Sequence, residues 1–328
     1  MKKIIQLLST PLPGIIRKPI YRLMGAKIGN RVKLSSFAVV VSKEIDIRDG
    51  VKISGFTFIY GIRSLKMGTY SHISRLCYIT GYQDLKIGAR SGVGFGCHIE
   101  MHLEGVEIGN YSGFSPKCVV NTHGIYLPYT HGYNPIIAKV KLGDFSLVQA
   151  RCYIGPGVIV PDETIIVAGS NVLQRIDKPG VIVDSGFKRE RFPLGIMKRK
   201  VDKESHYSDI KKLTLSLLNY FSKNNLISQY EEFGNSFYFF CKKKKVKIVF
   251  DERIQNEHSE YVWIFNSFYS KEIQRNETEF NFIKLTFDGH TGIMEKKALK
   301  YFQTYFGLRF IPKSGFDEKE LIYPKLES

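Results

Sequence analysis

Residues 142–176 read LGDFSLVQARCYIGPGVIVPDETIIVAGSNVLQRI, and every sixth position is aliphatic without a break: Leu142, Val148, Ile154, Val160, Ile166 and Val172. Four places after each stand Ser146, Cys152, Val158, Thr164, Ser170 and Ile176, most of them small. Self-similarity at a short fixed period is the mark of a repeat architecture. The same phase runs backwards through Ile108/Phe114/Val120, Ile87/Val93/Ile99, Met67/Ile73/Ile79, Ile47/Ile53/Ile59 and Ile28/Leu34/Val40. Three hexads make one triangular coil, so coils begin near residues 28, 47, 67, 87, 108, 142 and 160. The step from 108 to 142 is the only large one and marks an inserted loop.

This pattern has a physical reason. Each short strand points one aliphatic side chain into a narrow triangular interior, and stacked coils bury a column that no single coil could bury. The expectation is small residues or Gly at the corners, where the chain bends sharply. Cys77, Cys97, Cys118 and Cys152 lie nine residues after Gly68, Gly88, Gly109 and Gly143, so they should stack inside the prism as small core residues. The fifth cysteine, Cys241, has no CxxC-type partner, and reduced thiols in a cytoplasmic protein are the simplest reading.

With 43% hydrophobic and 24% charged residues in 328, the chain can bury a substantial core and has room for two domains. No stretch approaches the ~18 apolar residues of a membrane span. The apolar start after Lys2 and Lys3 is broken by Pro11 and Pro13, which argues against a secretory signal. The formal charge is +17, from 48 basic and 31 acidic residues, a field that attracts anions. No nucleic-acid-binding module is visible, so no nucleic-acid partner is expected. Before Glu44, the first acid, stand Lys2, Lys3, Arg17, Lys18, Arg22, Lys27, Arg31 and Lys33, interleaved with Ile15, Ile16, Ile20, Tyr21, Leu23 and Met24. Residues 1–27 therefore read as a helical cap on the next domain, with peripheral contact to an anionic membrane as the alternative.

The hexads over about residues 15–190 resemble the hexapeptide-repeat acyltransferases, especially the sugar and polysaccharide O-acetyltransferases. RLMGAKIGNRV at 22–32 resembles the usual entry of the polysaccharide-modifying members, and VVNTHGIYLPYTHGYNP at 119–135 resembles the segment with the catalytic His and its protruding loop. The resemblance implies a left-handed parallel β-helix over 28–190, usually trimeric, moving an acetyl group from acetyl-CoA to a sugar hydroxyl of capsule, O-antigen or other surface polysaccharide. It implies His123 as the base, because imidazole can take the hydroxyl proton near neutral pH while the oxygen attacks the thioester. A backbone N–H would hold the oxyanion. It also implies that Ala150, Ala168, Gly169 and Ser170 line the pantetheine groove, and that Lys188, with Arg189 and Arg191 beside it, meets the CoA phosphates. The chain departs from the family's pattern at Leu147, usually Trp, at Gln149, usually Gly, and at the closing DSGFK of 184–188.

Around the base, Asn121 can hydrogen-bond an acceptor hydroxyl or satisfy its own turn. His131 and Tyr129 lie in the same loop as candidate acceptor contacts, with Tyr126 and Tyr133 offering rings for a sugar or for subunit packing. His102 sits three residues after Ile99, as His123 sits three after Val120, which places it in the coil beneath. Glu100 or Glu104 could orient the imidazole. His72 and His98 are expected outside and solvated. His206, His258 and His290 carry no visible motif.

After Pro193 the hexads stop, and 191–328 reads as a small α+β domain of unknown role. A helix is expected over 203–222, strands at FYFFC, KVKIVF, YVWIFNSFY and FNFIKLTF, a helix near 294–306, and a last strand at LRFIP. Three rivals share the first domain: N-acetylation of a nucleotide amino sugar, a non-catalytic scaffold, or a metal site of the γ-class carbonic anhydrase kind. The last would need His98, His102 and His123 to converge between subunits, and their spacing does not match, so no metal is expected.

Overall fold

A computed structural model describes residues 2–124, 129–132, 135–197, 202–233, 236–241, 244–250, 261–266, 277–282, 284–289, 292–306, 308 and 310–313. The chain forms two compact units, built on residues 1–199 and 200–318.

The first unit is a parallel β-solenoid of about seven turns. Its hexads stack in register on three faces. On the first face Ile28, Ile47, Met67, Ile87, Ile108, Leu142 and Val160 form one row. On the second, Leu34, Ile53, Ile73, Val93, Phe114, Val148 and Ile166 do the same and end on Ile182. The third carries Val40, Ile59, Ile79, Ile99, Val120, Ile154 and Val172. All of these side chains are buried in one continuous core. Each contributes ~1.5–3 kcal/mol of burial, so the rows dominate the unit's stability.

The corners meet the expectation of small or Gly residues in part: Gly50, Gly96, Gly157 and Gly169 take positive φ there, but other corners use larger residues. The small residue turns inward, and the left-handed conformation falls on the residue before it: Tyr70 before Ser71, Arg90 before Ser91, Tyr111 before Ser112, Phe145 before Ser146, Arg151 before Cys152. Non-glycine residues reach this region at a cost of roughly 1–2 kcal/mol. A ladder of backbone bonds between coils offsets it, as in Tyr111 N–H to Ala89 O (2.9 Å) and Arg151 N–H to Pro116 O (3.0 Å). The inward residues then form two polar columns. Ser91, Ser112 and Ser146 each donate to a carbonyl of the next coil and accept its N–H. Cys77, Cys97, Cys118 and Cys152 occupy another corner, with thiols directed at Gly94 O (3.0 Å), Ser115 O (3.1 Å), Gln149 O (3.1 Å) and Val167 O (3.2 Å).

Two helices, Lys2–Leu8 and Gly14–Leu23, close the N-terminal end. Arg17 is fully buried and donates to Ser35 O (3.1 Å), Ala38 O (2.6 Å) and the Tyr21 hydroxyl (3.0 Å). The Tyr21 hydroxyl donates in turn to Val40 O (3.0 Å), and Gln6 Nε2 to Ser42 O (3.1 Å). These side chains satisfy the carbonyls that the first coil presents to no preceding one. At the other end the strand Val181–Asp184 stacks on Ile165–Ile166 and folds back as a hairpin with Arg189–Phe192.

The second unit is a seven-stranded mixed sheet with two helices, Lys203–Lys223 and Ile293–Phe306. Asp202 caps the first helix through a capping box with Ser205. Trp263, Phe239, Phe265, Phe280 and Phe302 share one core, and Trp263 Nε1 donates to the buried Glu295 carboxylate at 3.0 Å. Two expectations change here. FNFIKLTF is not one strand: Glu277–Asn281 and Thr286–Gly289 form an antiparallel pair. Asn281 Oδ1 accepts Lys284 N–H at 2.7 Å and Leu285 takes φ 47°, so the side chain builds a turn that the apolar pattern hides. Tyr230–Phe233 adds a strand that was not expected, and YVWIFNSFY is described only as Tyr261–Asn266.

Candidate active site

The inserted loop leaves the solenoid at the far corner of the third face. Thr122 is fully buried there and fixes the exit: its N–H donates to Glu100 O (3.1 Å), its carbonyl accepts Ala138 N–H (3.0 Å), and its hydroxyl accepts His102 N–H (3.2 Å). His123 follows at once and pairs antiparallel with Ile137, with Gly124 opposite Ile136. The imidazole thus stands on a short ladder anchored to the prism, before the loop begins. Thr122 was not among the expected site residues; its place between Asn121 and His123 was its only sequence signal.

His123 is half-buried and lines a cleft of roughly 740 Å³ on the outside of the third face. Lys3, Tyr60, Tyr82, Glu100 and His102 share the wall. The His102 ring lies between Tyr82 (centroids 5.5 Å apart) and His123 (5.2 Å), one coil per ring. His123 Nδ1 is buried with no hydrogen-bond partner among the described residues, which leaves Nε2 as the nitrogen open to the cleft. Neither carboxylate expected to orient the ring is bonded to it. Glu100 is on the cleft wall without such a bond, and Glu104 instead adds a little to the raising of the Arg63 guanidinium, which is due chiefly to its hydrogen bond with Asp84.

A second aromatic column stands at the near side of the same face: Phe58 stacks on Tyr78 (5.3 Å), and Tyr78 meets the His98 ring edge-on (5.1 Å). His98 is therefore half-buried with Nε2 out of solvent, and His72 is half-buried too, packed where a Cβ on Gly92 would clash. Both depart from the expected solvated state because the next coil stacks over each ring. Among the described residues no group of three or more His, Cys, Asp or Glu is arranged to hold a metal ion.

Asn121 lies beside Glu100 of the adjacent coil, half-buried and making no side-chain hydrogen bond among the described residues. His131 is exposed in the short turn Tyr129–His131. Tyr126 and Tyr133 lie outside the described residues, and of Tyr129 only the backbone is described. Ala150, Ala168 and Gly169 line up along the opposite corner of the third face, joined by Gly169 N–H to Ala150 O (3.0 Å) and Ala168 N–H to Gln149 Oε1 (3.1 Å). Gly169 takes φ +77° and a Cβ there would meet nothing within 4 Å, so the edge is open. Ser170 turns inward, its hydroxyl accepting Asp184 N–H at 3.2 Å, and only its backbone can face a groove. The next storey of this edge is the turn Ser185–Lys188. Lys188 is exposed and bonded to Glu190 (2.8 Å); Arg189 is held by Asp184 (2.6 Å) and by two carbonyls.

His123 and the open edge are thus at opposite corners of one face: in the shared register Ala150 and Ala168 align with Pro116 and Gly169 with Lys117, six to seven positions before His123. Within one chain they are not brought together.

No family model and no curated protein sequence matches the chain. Among solved structures, AntD, an N-acyltransferase from Bacillus cereus in complex with dTDP and 3-hydroxybutyryl-CoA, is 16% identical with a TM-score of 0.37, covering 62% of this chain and 96% of that one. A mutant of the same enzyme with dTDP-4-amino-4,6-dideoxyglucose and coenzyme A gives 16% and 0.37, over 60% and 95%. The polysialic acid O-acetyltransferase OatWY gives 13% identity and a TM-score of 0.29, over 56% and 95%. At these identities and TM-scores the likenesses carry no argument about family or reaction.

Proposed function

We propose that the solenoid is an acyltransferase moving an acetyl group from acetyl-CoA to a sugar hydroxyl in the biosynthesis of capsule, O-antigen or another surface polysaccharide. The observation that carries this reading is His123, placed at the anchored base of the inserted loop and opening Nε2 to a cleft walled by tyrosines. Nε2 takes the acceptor's hydroxyl proton as its oxygen attacks the thioester carbonyl. The new C–O bond forms, the C–S bond breaks, and the imidazolium returns its proton to the departing thiolate. Asn121, Tyr129 and His131 flank the acceptor side.

The donor runs along the open edge of Ala150, Ala168 and Gly169, where small residues let a narrow arm reach the backbone, with Lys188 at the phosphate end. Base and edge occupy opposite corners of one face, so the complete site needs a second copy, and a cyclic homotrimer supplies one at every interface. The enzyme works in the cytoplasm, where acetyl-CoA is made. The test is mass spectrometry of surface glycans from cells with and without the protein, together with CoA release by purified protein given those glycans. Identical acetylation in both strains and no acceptor-dependent CoA release would overturn the reading.

A further inference from the structure

The N-terminal cap is built inside out. In an ordinary amphipathic helix the apolar stripe faces the core and polar residues face water. Here Gln6, Ser9 and Arg17 point inward and are buried at 2% exposure or less. Apart from Ile20, which packs against the solenoid core, the aliphatic residues of the two helices point outward: Leu23 is 90% exposed, Ile15 78%, Leu8 73% and Ile4 62%, with Ile5, Leu7 and Ile16 also exposed. The inward polarity is explained, because Gln6, Arg17 and Tyr21 satisfy the free carbonyls of the first coil. Nothing among the described residues covers these outward aliphatics, which recur along both short helices.

Charge selects the occupant. Lys2, Lys3, Lys18, Arg22, Lys27, Arg31 and Lys33 lie in the cap or the first coil, and no acid precedes Glu44. Among the described residues none of these cations is paired with a carboxylate; Lys2, Lys18 and Arg22 rest on the carbonyls of Lys43, Val32 and Ile28. A second copy brought to this face would set like charges against like. A bilayer with anionic headgroups offers carboxylate or phosphate to the cations and acyl chains to Ile4, Leu8, Ile15 and Leu23, the two components of interfacial binding.

We propose that this cap is a docking surface for an anionic membrane, which holds the protein peripherally. The proposal stands on the cap alone and does not depend on the acyl-transfer reading.

The test is co-sedimentation of the full chain with vesicles of phosphatidylglycerol and phosphatidylcholine, against vesicles of phosphatidylcholine alone. The expected result is pelleting with the anionic vesicles that is lost on raising the salt, since exposed charges are screened within ~10 Å at 0.1 M. The triple variant Leu8→Ser, Ile15→Ser, Leu23→Ser removes only exposed side chains, so its melting curve should match the parent's while its bound fraction falls at least tenfold. Lys18→Glu with Arg22→Glu should release the protein from anionic vesicles as well. No pelleting of the parent, equal pelleting of the triple variant, or equal binding to neutral vesicles would each overturn the proposal. So would self-association abolished by the triple variant without any vesicle binding, which would assign this face to a second copy.

Discussion

The imidazoles of His102 and His123 lie with ring centroids 5.2 Å apart, tilted by 55°, in consecutive coils. Only His123 stands at the loop exit, and the two rings should answer differently to substitution. His123→Ala should leave the fold intact and lower transfer roughly 10²–10⁴-fold, with His123→Asn no better, because an amide cannot accept the proton. His102→Ala removes a packing wall and should cost less than tenfold in turnover, about 1.4 kcal/mol of barrier. Steady-state rates decide; the reverse order would transfer the base to His102.

Lys188 and Glu190 are bonded at 2.8 Å, and each shifts the other: Lys188 is raised and Glu190 lowered by their mutual hydrogen bond. If Lys188 meets the donor's phosphates, Glu190 competes for it. Glu190→Gln should therefore tighten acetyl-CoA binding several-fold at low salt, while Lys188→Ala weakens it and flattens its salt dependence. Titration calorimetry at two ionic strengths checks this. Unchanged affinity in both variants would remove Lys188 from the donor site.

Glu107 accepts Lys86 Nζ (2.9 Å) and Lys139 Nζ (3.1 Å) across the first face. The bond from Lys86 first, then that from Lys139, hold its carboxyl below the usual glutamate value. A carboxyl lowered by folding stabilises the native state above the unfolded pKa, and that contribution is lost as pH falls through the folded value. Both lysines are nearly half exposed, so the contribution is modest, about 0.5–1 kcal/mol. Glu107→Gln should melt below the parent at pH 7, with the two curves converging below about pH 4. A constant difference at all pH values would point to packing instead.

The inward rows were legible because each coil repeats one physical demand, an aliphatic side chain in a narrow interior, and Leu142 to Val172 meet it without interruption. The outward columns were not. Phe58, Tyr78 and His98 each precede an inward isoleucine, but their spacing is one coil, not one hexad, so a search at period six passes over them. The place of His123 was readable as the end of the Val120 hexad. The distance between it and the Ala150–Gly169 edge was not, because only the closed triangle shows that the two stand at opposite corners of one face. The inverted cap was hidden for a related reason: Arg17 and Ile15 look like a basic amphipathic helix whichever side faces in.

The stacked thiols should be silent. Burial pushes the Cys77 thiol up to about 11, and although the hydrogen bond with Cys118 lowers Cys97, access decides, because Cys77, Cys97, Cys118 and Cys152 are each at most 1% exposed. A thiol reacts as its thiolate, and only Cys241, half-buried in the second unit, escapes the interior. Ellman's reagent should therefore modify about one thiol in the native chain and all five in urea. Rapid modification of two or more before unfolding would mean the solenoid opens at its cysteine corner.

Arg17 offers the sharpest test of how the solenoid ends. Its guanidinium is fully buried among the carbonyls of Ser35 and Ala38, with no carboxylate partner among the described residues. Two effects oppose each other in Arg17→Met. Removing a buried charge relieves its desolvation, which can favour an apolar replacement. The same change leaves the buried Ala38 O without its donor, at about 1–3 kcal/mol for an acceptor left unmade, while Ser35 O keeps the Ala38 N–H. Methionine fills part of the volume but cannot donate, so the second effect should win and the solenoid should lose roughly 2 kcal/mol. Urea unfolding followed by circular dichroism should show an earlier midpoint. Lys18→Met is the control: Lys18 reaches only Val32 O at 3.2 Å from the half-exposed side of the same helix, and its loss should be within ~0.5 kcal/mol. A midpoint for Arg17→Met equal to or above the parent's would show that the first coil's carbonyls are satisfied without the guanidinium.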